Sequence, residues 1–197
     1  MAYDSSGTYR DAFLFSGPIK PDIVLKRLRN REKYKLHHKD LTKIHREAIV
    51  LERLSHSPRI LDIYAHCGTS ILVEAMAGDI WDKIVPGNGD TTQEELDKLD
   101  DVYPLNNFTA SEKLQISLEM ALSLADLHNF EGGVIHHGDT HLEQWLLAPD
   151  KSLKLNDFNN ALIPTFDVEK GDYCTQRGSY YGVVSERLSH LYFFVKH

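Results

Sequence analysis

Apolar and polar positions alternate and recur in a pattern that divides the chain into short strands and two long helices. Residues 8–15 (TYRDAFLF) and 22–28 (DIVLKRL) read as strands, with Ser16-Gly17-Pro18 as the turn between them. Leu41, Ile44, Ala48, Leu51 and Leu54 recur at helical spacing, which predicts a helix over 40–54 with Asp40 as its cap. Two further strands are predicted at 60–66 and 71–75, after Ser57-Pro58, and a short helix starts at Trp81. Thr109 and Glu112 form a capping box that opens the clearest helix, 111–130. Leu114, Leu118, Leu122 and Ala125 share one of its faces, with Leu124 and Leu127 beside them, and Gly132-Gly133 ends it. Two apolar runs, 145–147 and 153–155, flank a turn with Pro149 and Asp150 and predict a hairpin.

A length of 197 residues suits one domain, or one and a fragment of another. The net charge of −7, without a basic stripe, argues against nucleic-acid binding. The local basic cluster over 26–39 reads as a solvated strand end and loop. Cys67 and Cys174 stand too far apart for a disulfide framework or a zinc spacing, which points to a reducing, cytoplasmic setting. No apolar run approaches a membrane span, and the first residues lack the basic and apolar regions of a signal peptide. The acidic stretch 91–101 holds no His or Cys and reads as a solvated insertion.

Chemistry concentrates between Val134 and Asn159. The hairpin there presents Asp139 before it and Asp157 after it. One carboxylate can orient or deprotonate a hydroxyl and the other can hold a metal against phosphates. His137-Gly138-Asp139-Thr140-His141-Leu142-Glu143-Gln144 followed by Asp157-Phe158-Asn159 resembles the H-R-D-L-x-x-x-N and D-F-G motifs of eukaryotic-type protein kinases.

The resemblance implies an α+β, bilobal kinase-like fold. A small β-rich N-lobe of five strands and one helix covers about residues 1–78, and a truncated, mainly helical C-lobe covers about 79–197. It further implies Mg2+ and ATP as cofactors and a protein hydroxyl as acceptor. Lys26, ending the run Ile23-Val24-Leu25, falls at the phosphate-pairing lysine, and Glu47 at its helix partner. Glu74, Ala75 and Met76 fall at the hinge whose backbone binds adenine, with Val73 guarding the back pocket. Asp139 is the implied catalytic carboxylate, and Asp157 and Gln144 are the implied metal ligands.

Several positions depart from the family pattern. Of the glycine-rich loop only Gly7 survives, Arg10 stands where a third glycine would close over phosphate, and the strand before the loop is missing. Gly138 replaces the arginine of H-R-D, His141 the loop lysine, and Gln144 an asparagine shorter by one methylene. Val184-Ser185-Glu186 stands at the place of A-P-E, and the later C-lobe helices do not follow. The implied consequence is a fragment with an exposed apolar face and poor solubility. Two other readings stay open: a pseudokinase that keeps the fold as an ATP-binding or scaffold module for a protein partner, and zinc held by His137 and His141, four apart, should that segment be helical.

Overall fold

The computed structural model describes residues 2–6, 10–18, 21–29, 37–84, 108–131, 133–163 and 166–173. The chain is a mixed α+β protein whose N-terminal region is an antiparallel sheet. Five strands, β1 (Ala2–Ser6), β2 (Arg10–Phe15), β3 (Ile23–Leu28), β4 (Ile63–Cys67) and β5 (Ser70–Glu74), lie in the order β1-β2-β3-β5-β4. The first is a correction to the sequence reading: a strand does precede the loop position, pairing Ala2 with Leu14 and Ser6 with Asp11. AYDSS carries almost no apolar signal, and its ladder with β2 makes it a strand.

In β5 burial alternates, with Ile71 and Val73 each 1% exposed, so one face of the sheet receives a helix. That helix, α1 (His38–Arg53), buries Ile44, Ala48 and Leu51 on one stripe, with Leu54 just beyond its end. It starts two residues before the expected cap. Asp40 lies inside its first turn, and its carboxylate accepts the His37 N–H at 3.1 Å. Glu47 lies on the same buried stripe, so it needs partners there.

β6 (Gly78–Asp79), β7 (Trp145–Leu147) and β8 (Leu153–Leu155) form a second, antiparallel sheet. Its hairpin falls on the predicted residues. Asp150 accepts the Ser152 N–H at 3.0 Å, and Lys151 takes a left-handed φ of 70° in the turn. The hairpin is tied to the N-terminal region, because Leu61 N–H donates to Leu155 O at 3.0 Å and Leu155 N–H to Arg59 O at 2.8 Å. α2 is one turn, Trp81–Ile84. Two short strands, β9 (Phe166–Asp167) and β10 (Asp172–Tyr173), pair with each other.

The long helix, α3 (Ala110–His128), begins with the expected capping box: Thr109 Oγ1 accepts Glu112 N–H at 3.2 Å, and Glu112 accepts Thr109 N–H at 2.8 Å. Ile116, Met120, Leu124 and Leu127 are its packed stripe. Leu114, Leu118 and Leu122 face outward at 72, 49 and 38% exposure. The hairpin selects the packed face: Trp145 Nε1 donates to Ser123 Oγ at 3.0 Å and Leu153 N–H to Glu119 Oε2 at 2.8 Å. Among the described residues no helix is long and apolar enough to cross a membrane.

Candidate functional site

The site forms where β2, β3, α1 and the turn after β8 converge. Lys26 projects from β3 and gives Nζ to Glu47 Oε1 at 3.2 Å, so the lysine and glutamate singled out in the sequence do meet. Glu47 is fully buried and Lys26 is 14% exposed. Lys26 also donates to Asn156 Oδ1 at 2.5 Å, which fixes its head one residue before Asp157.

Arg10, at the start of β2, joins this cluster. Its Nη1 pairs with Glu47, and its Nη2 lies 2.5 Å from Asp157 Oδ1. One planar guanidinium therefore forks between the helix glutamate and the carboxylate expected to hold metal, a geometry a lysine cannot reproduce. Asp157 also accepts from Asn159 Nδ2. Burial pushes the Asp157 carboxyl up, but Arg10, then Lys26 and His137, and the Asn159 hydrogen bond hold it below the ordinary aspartate value. Asp157 has a left-handed φ of 60°, a strained setting for an aspartate that persists where its surroundings fix it.

The loop before the hairpin rests on His137. It is fully buried, its Nε2 lies 2.8 Å from Asn156 O, and its ring packs against Phe158 at 4.9 Å between centroids. His137 is thus a structural pin of the loop. The segment from 137 to 141 is not helical, and Gly138 has φ 78°, so the zinc reading loses the helix it required.

Asp139 is 43% exposed, and its Oδ2 accepts from Asn160 Nδ2 at 3.1 Å. The two carboxylates are therefore held by successive amides, Asn159 on Asp157 and Asn160 on Asp139. His141 Nε2 lies 3.8 Å from Asp139 Oδ1, and its Nδ1 lies 3.3 Å from Glu143 Oε2. Gln144, one of the expected metal ligands, is buried with its Nε2 2.8 Å from His141 Nε2. Its amide thus serves the loop.

At the expected hinge, Glu74 uses its side chain structurally: Oε1 accepts Asp62 N–H at 2.7 Å and Lys154 Nζ at 2.6 Å. Lys154 also reaches Asp62 at 2.9 Å, and although burial lowers its pKa, these two carboxylates raise it above the usual lysine value. The Ala75 N–H donates to Asp22 O at 3.1 Å and the Ala77 N–H to Leu147 O at 2.7 Å. Met76, between them, is partly buried against the core and gives its N–H to no carbonyl among the described residues. Gly7, the expected phosphate-loop glycine, and the Val184-Ser185-Glu186 segment lie outside the described residues, as do the insertion at 91–101 and Cys174.

Lys26, Glu47 and Asp157 thus come together in one cluster, while Asp139 is partly exposed and held by Asn160. Sequence reasoning gave no role to Arg10, Asn156 or Asn160. The available signals were a cation where the family places a glycine, and a run of asparagines around Asp157. No family model matches the chain, and no curated protein matches it.

Proposed function

We propose that the chain is a divergent, bilobal protein kinase-like module that binds a nucleoside triphosphate and works as a pseudokinase, presenting a surface to a protein partner. The observation that carries this reading is the Lys26–Glu47 pair meeting Asn156 and Asp157 in one cluster. A lysine held by a buried glutamate beside a carboxylate-bearing turn suits recognition of polyphosphate. The Met76 N–H between two bonded neighbours suits an adenine edge. A cytoplasmic setting suits the free, exposed Cys67 thiol.

The residues expected to hold Mg2+ do not fit it as arranged. Asp157 Oδ1 is taken by Arg10 and Asn159, and Gln144 turns its Nε2 to His141. A second reading, transfer of a phosphoryl group to a protein hydroxyl, is favoured by Asp139, whose carboxylate is half-open and oriented by Asn160.

The test is calorimetric titration of the folded chain with ATP, beside Lys26→Met. Binding weakened at least tenfold by the substitution supports the module. Phosphate transfer to a protein substrate that is lost in Asp139→Asn while ATP binding persists would replace the pseudokinase reading with the catalytic one. A folded chain that does not bind ATP removes both.

A further inference from the structure

We infer that the Arg10 guanidinium fills the place a divalent cation would take at Asp157, so that the site receives a nucleoside polyphosphate without metal. This rests on the nucleotide-binding reading and specifies its ligand as the metal-free polyphosphate.

Two cations, Arg10 and Lys26, face two carboxylates, Glu47 and Asp157, in this cluster. Arg10 is 12% exposed and bridges both carboxylates, so it is a fixed part of the site and not a surface charge swinging past it. A divalent ion reaching Asp157 Oδ1 would have to shed tightly held water and displace the Arg10 Nη2, which is tethered through Nη1 to Glu47. It would also approach Lys26, which sits beside Asp157 at Asn156.

The other expected ligand gives the ion little help. Gln144 is buried and turns its Nε2 to His141 Nε2 at 2.8 Å, which holds its side chain in the loop. Asn159 is buried and gives its amide nitrogen to Asp157, while its Oδ1 is buried without a hydrogen-bond partner among the described residues. Phosphate oxygens, by contrast, need cations. Arg10 and Lys26 supply two from adjacent strands, since β2 and β3 pair in register with Arg10 opposite Leu28 and Ala12 opposite Lys26. Arg10 stands where a glycine would leave room for phosphate and metal together. Its positive charge does there what a bound ion would otherwise do, which is to neutralise the anion.

The experiment is calorimetric titration of the full chain with ATP, once in excess EDTA and once in excess Mg2+, for wild type, Arg10→Met and Arg10→Lys. Mn2+ binding without nucleotide is followed alongside by electron paramagnetic resonance, and melting curves establish that each variant is folded. Wild type is expected to bind ATP in EDTA at least as tightly as in Mg2+, and to leave Mn2+ free. Arg10→Met is expected to lose at least tenfold of its affinity in EDTA, to recover on adding Mg2+, and to bind Mn2+. The Mn2+ signal is then abolished by adding Asp157→Asn. Should Arg10→Met fail to fold, Arg10→Lys carries the test, because it keeps one charge but loses the fork; a severalfold loss in EDTA is expected. Wild-type binding that requires Mg2+, or unchanged EDTA affinity in a folded Arg10 variant, overturns the inference and leaves the nucleotide reading standing. No ATP binding by folded wild type in either buffer overturns both.

Discussion

Replacing Gly138 by alanine tests how tightly the Asp139 loop is built onto the turn that carries Asp157. Gly138 has φ 78°, and a Cβ there would lie 2.4 Å from Asn160 O and 3.1 Å from Asn160 C. The obstacle is backbone, and that backbone is pinned: the Ala161 N–H donates to Phe158 O at 3.0 Å, and His136 and Leu162 exchange hydrogen bonds at 2.9 and 2.7 Å. Left-handed backbone costs an alanine about 1–2 kcal/mol. Overpacking against a surround that cannot give costs about 1–3 kcal/mol more. The sum is about 2–5 kcal/mol, and at roughly 2–4 °C per kcal/mol for a chain of this size the melting temperature should fall by roughly 4–20 °C. Thermal unfolding followed by far-ultraviolet circular dichroism reads this directly. Gly138→Asn separates the two causes, since asparagine tolerates positive φ but still carries the Cβ. Little recovery is expected, because the contact with Asn160 remains. A Gly138→Ala protein within about 0.5 kcal/mol of wild type, an ordinary surface value, would refute the close approach of the two loops.

Further expectations follow from the same geometry. Glu47→Ala removes the fully buried carboxylate that both Arg10 and Lys26 face, and should destabilise the fold by about 3–5 kcal/mol in urea unfolding. Trp145→Phe removes the indole N–H that Ser123 accepts at 3.0 Å, and about 1–3 kcal/mol should be lost in the same assay. Asp157 has a folded pKa below its unfolded value, so its contribution to stability is fully present above the unfolded value and is lost as pH falls through the folded one. Acid unfolding of Asp157→Asn should therefore show a shallower loss of stability below about pH 4 than wild type does.

The hairpin around residues 145–155 was legible because two apolar runs bracket a turn whose Pro149 and Asp150 have few other uses, and those runs became β7 and β8. α1 was legible from its stripe, although His37 proved to be the residue flanking its start. β1 was not legible, since a strand of five largely polar residues is made by its partner and not by its own pattern. Nor was the packed face of α3. That helix is apolar on more than one side, so period alone could not choose between Leu114-Leu118-Leu122 and Ile116-Met120-Leu127. At the site, Lys26, Glu47 and Asp157 could be named from residue type, order and setting. The reach of Arg10 to Asp157 could not, because the two are 147 positions apart and no local pattern couples them. The asparagines at 156, 159 and 160 likewise read as turn residues until the fold placed their amides on Lys26, Asp157 and Asp139.

Everything proposed for this chain depends on the cluster around Lys26 and Glu47 receiving nucleotide phosphates. The most direct test is the ATP affinity of wild type against Lys26→Met, measured by calorimetry on protein shown by its melting curve to be folded. Wild type is expected to bind, and the variant to lose at least tenfold, about 1.4 kcal/mol. Equal affinity in the two proteins, or no binding by folded wild type, would contradict the proposal.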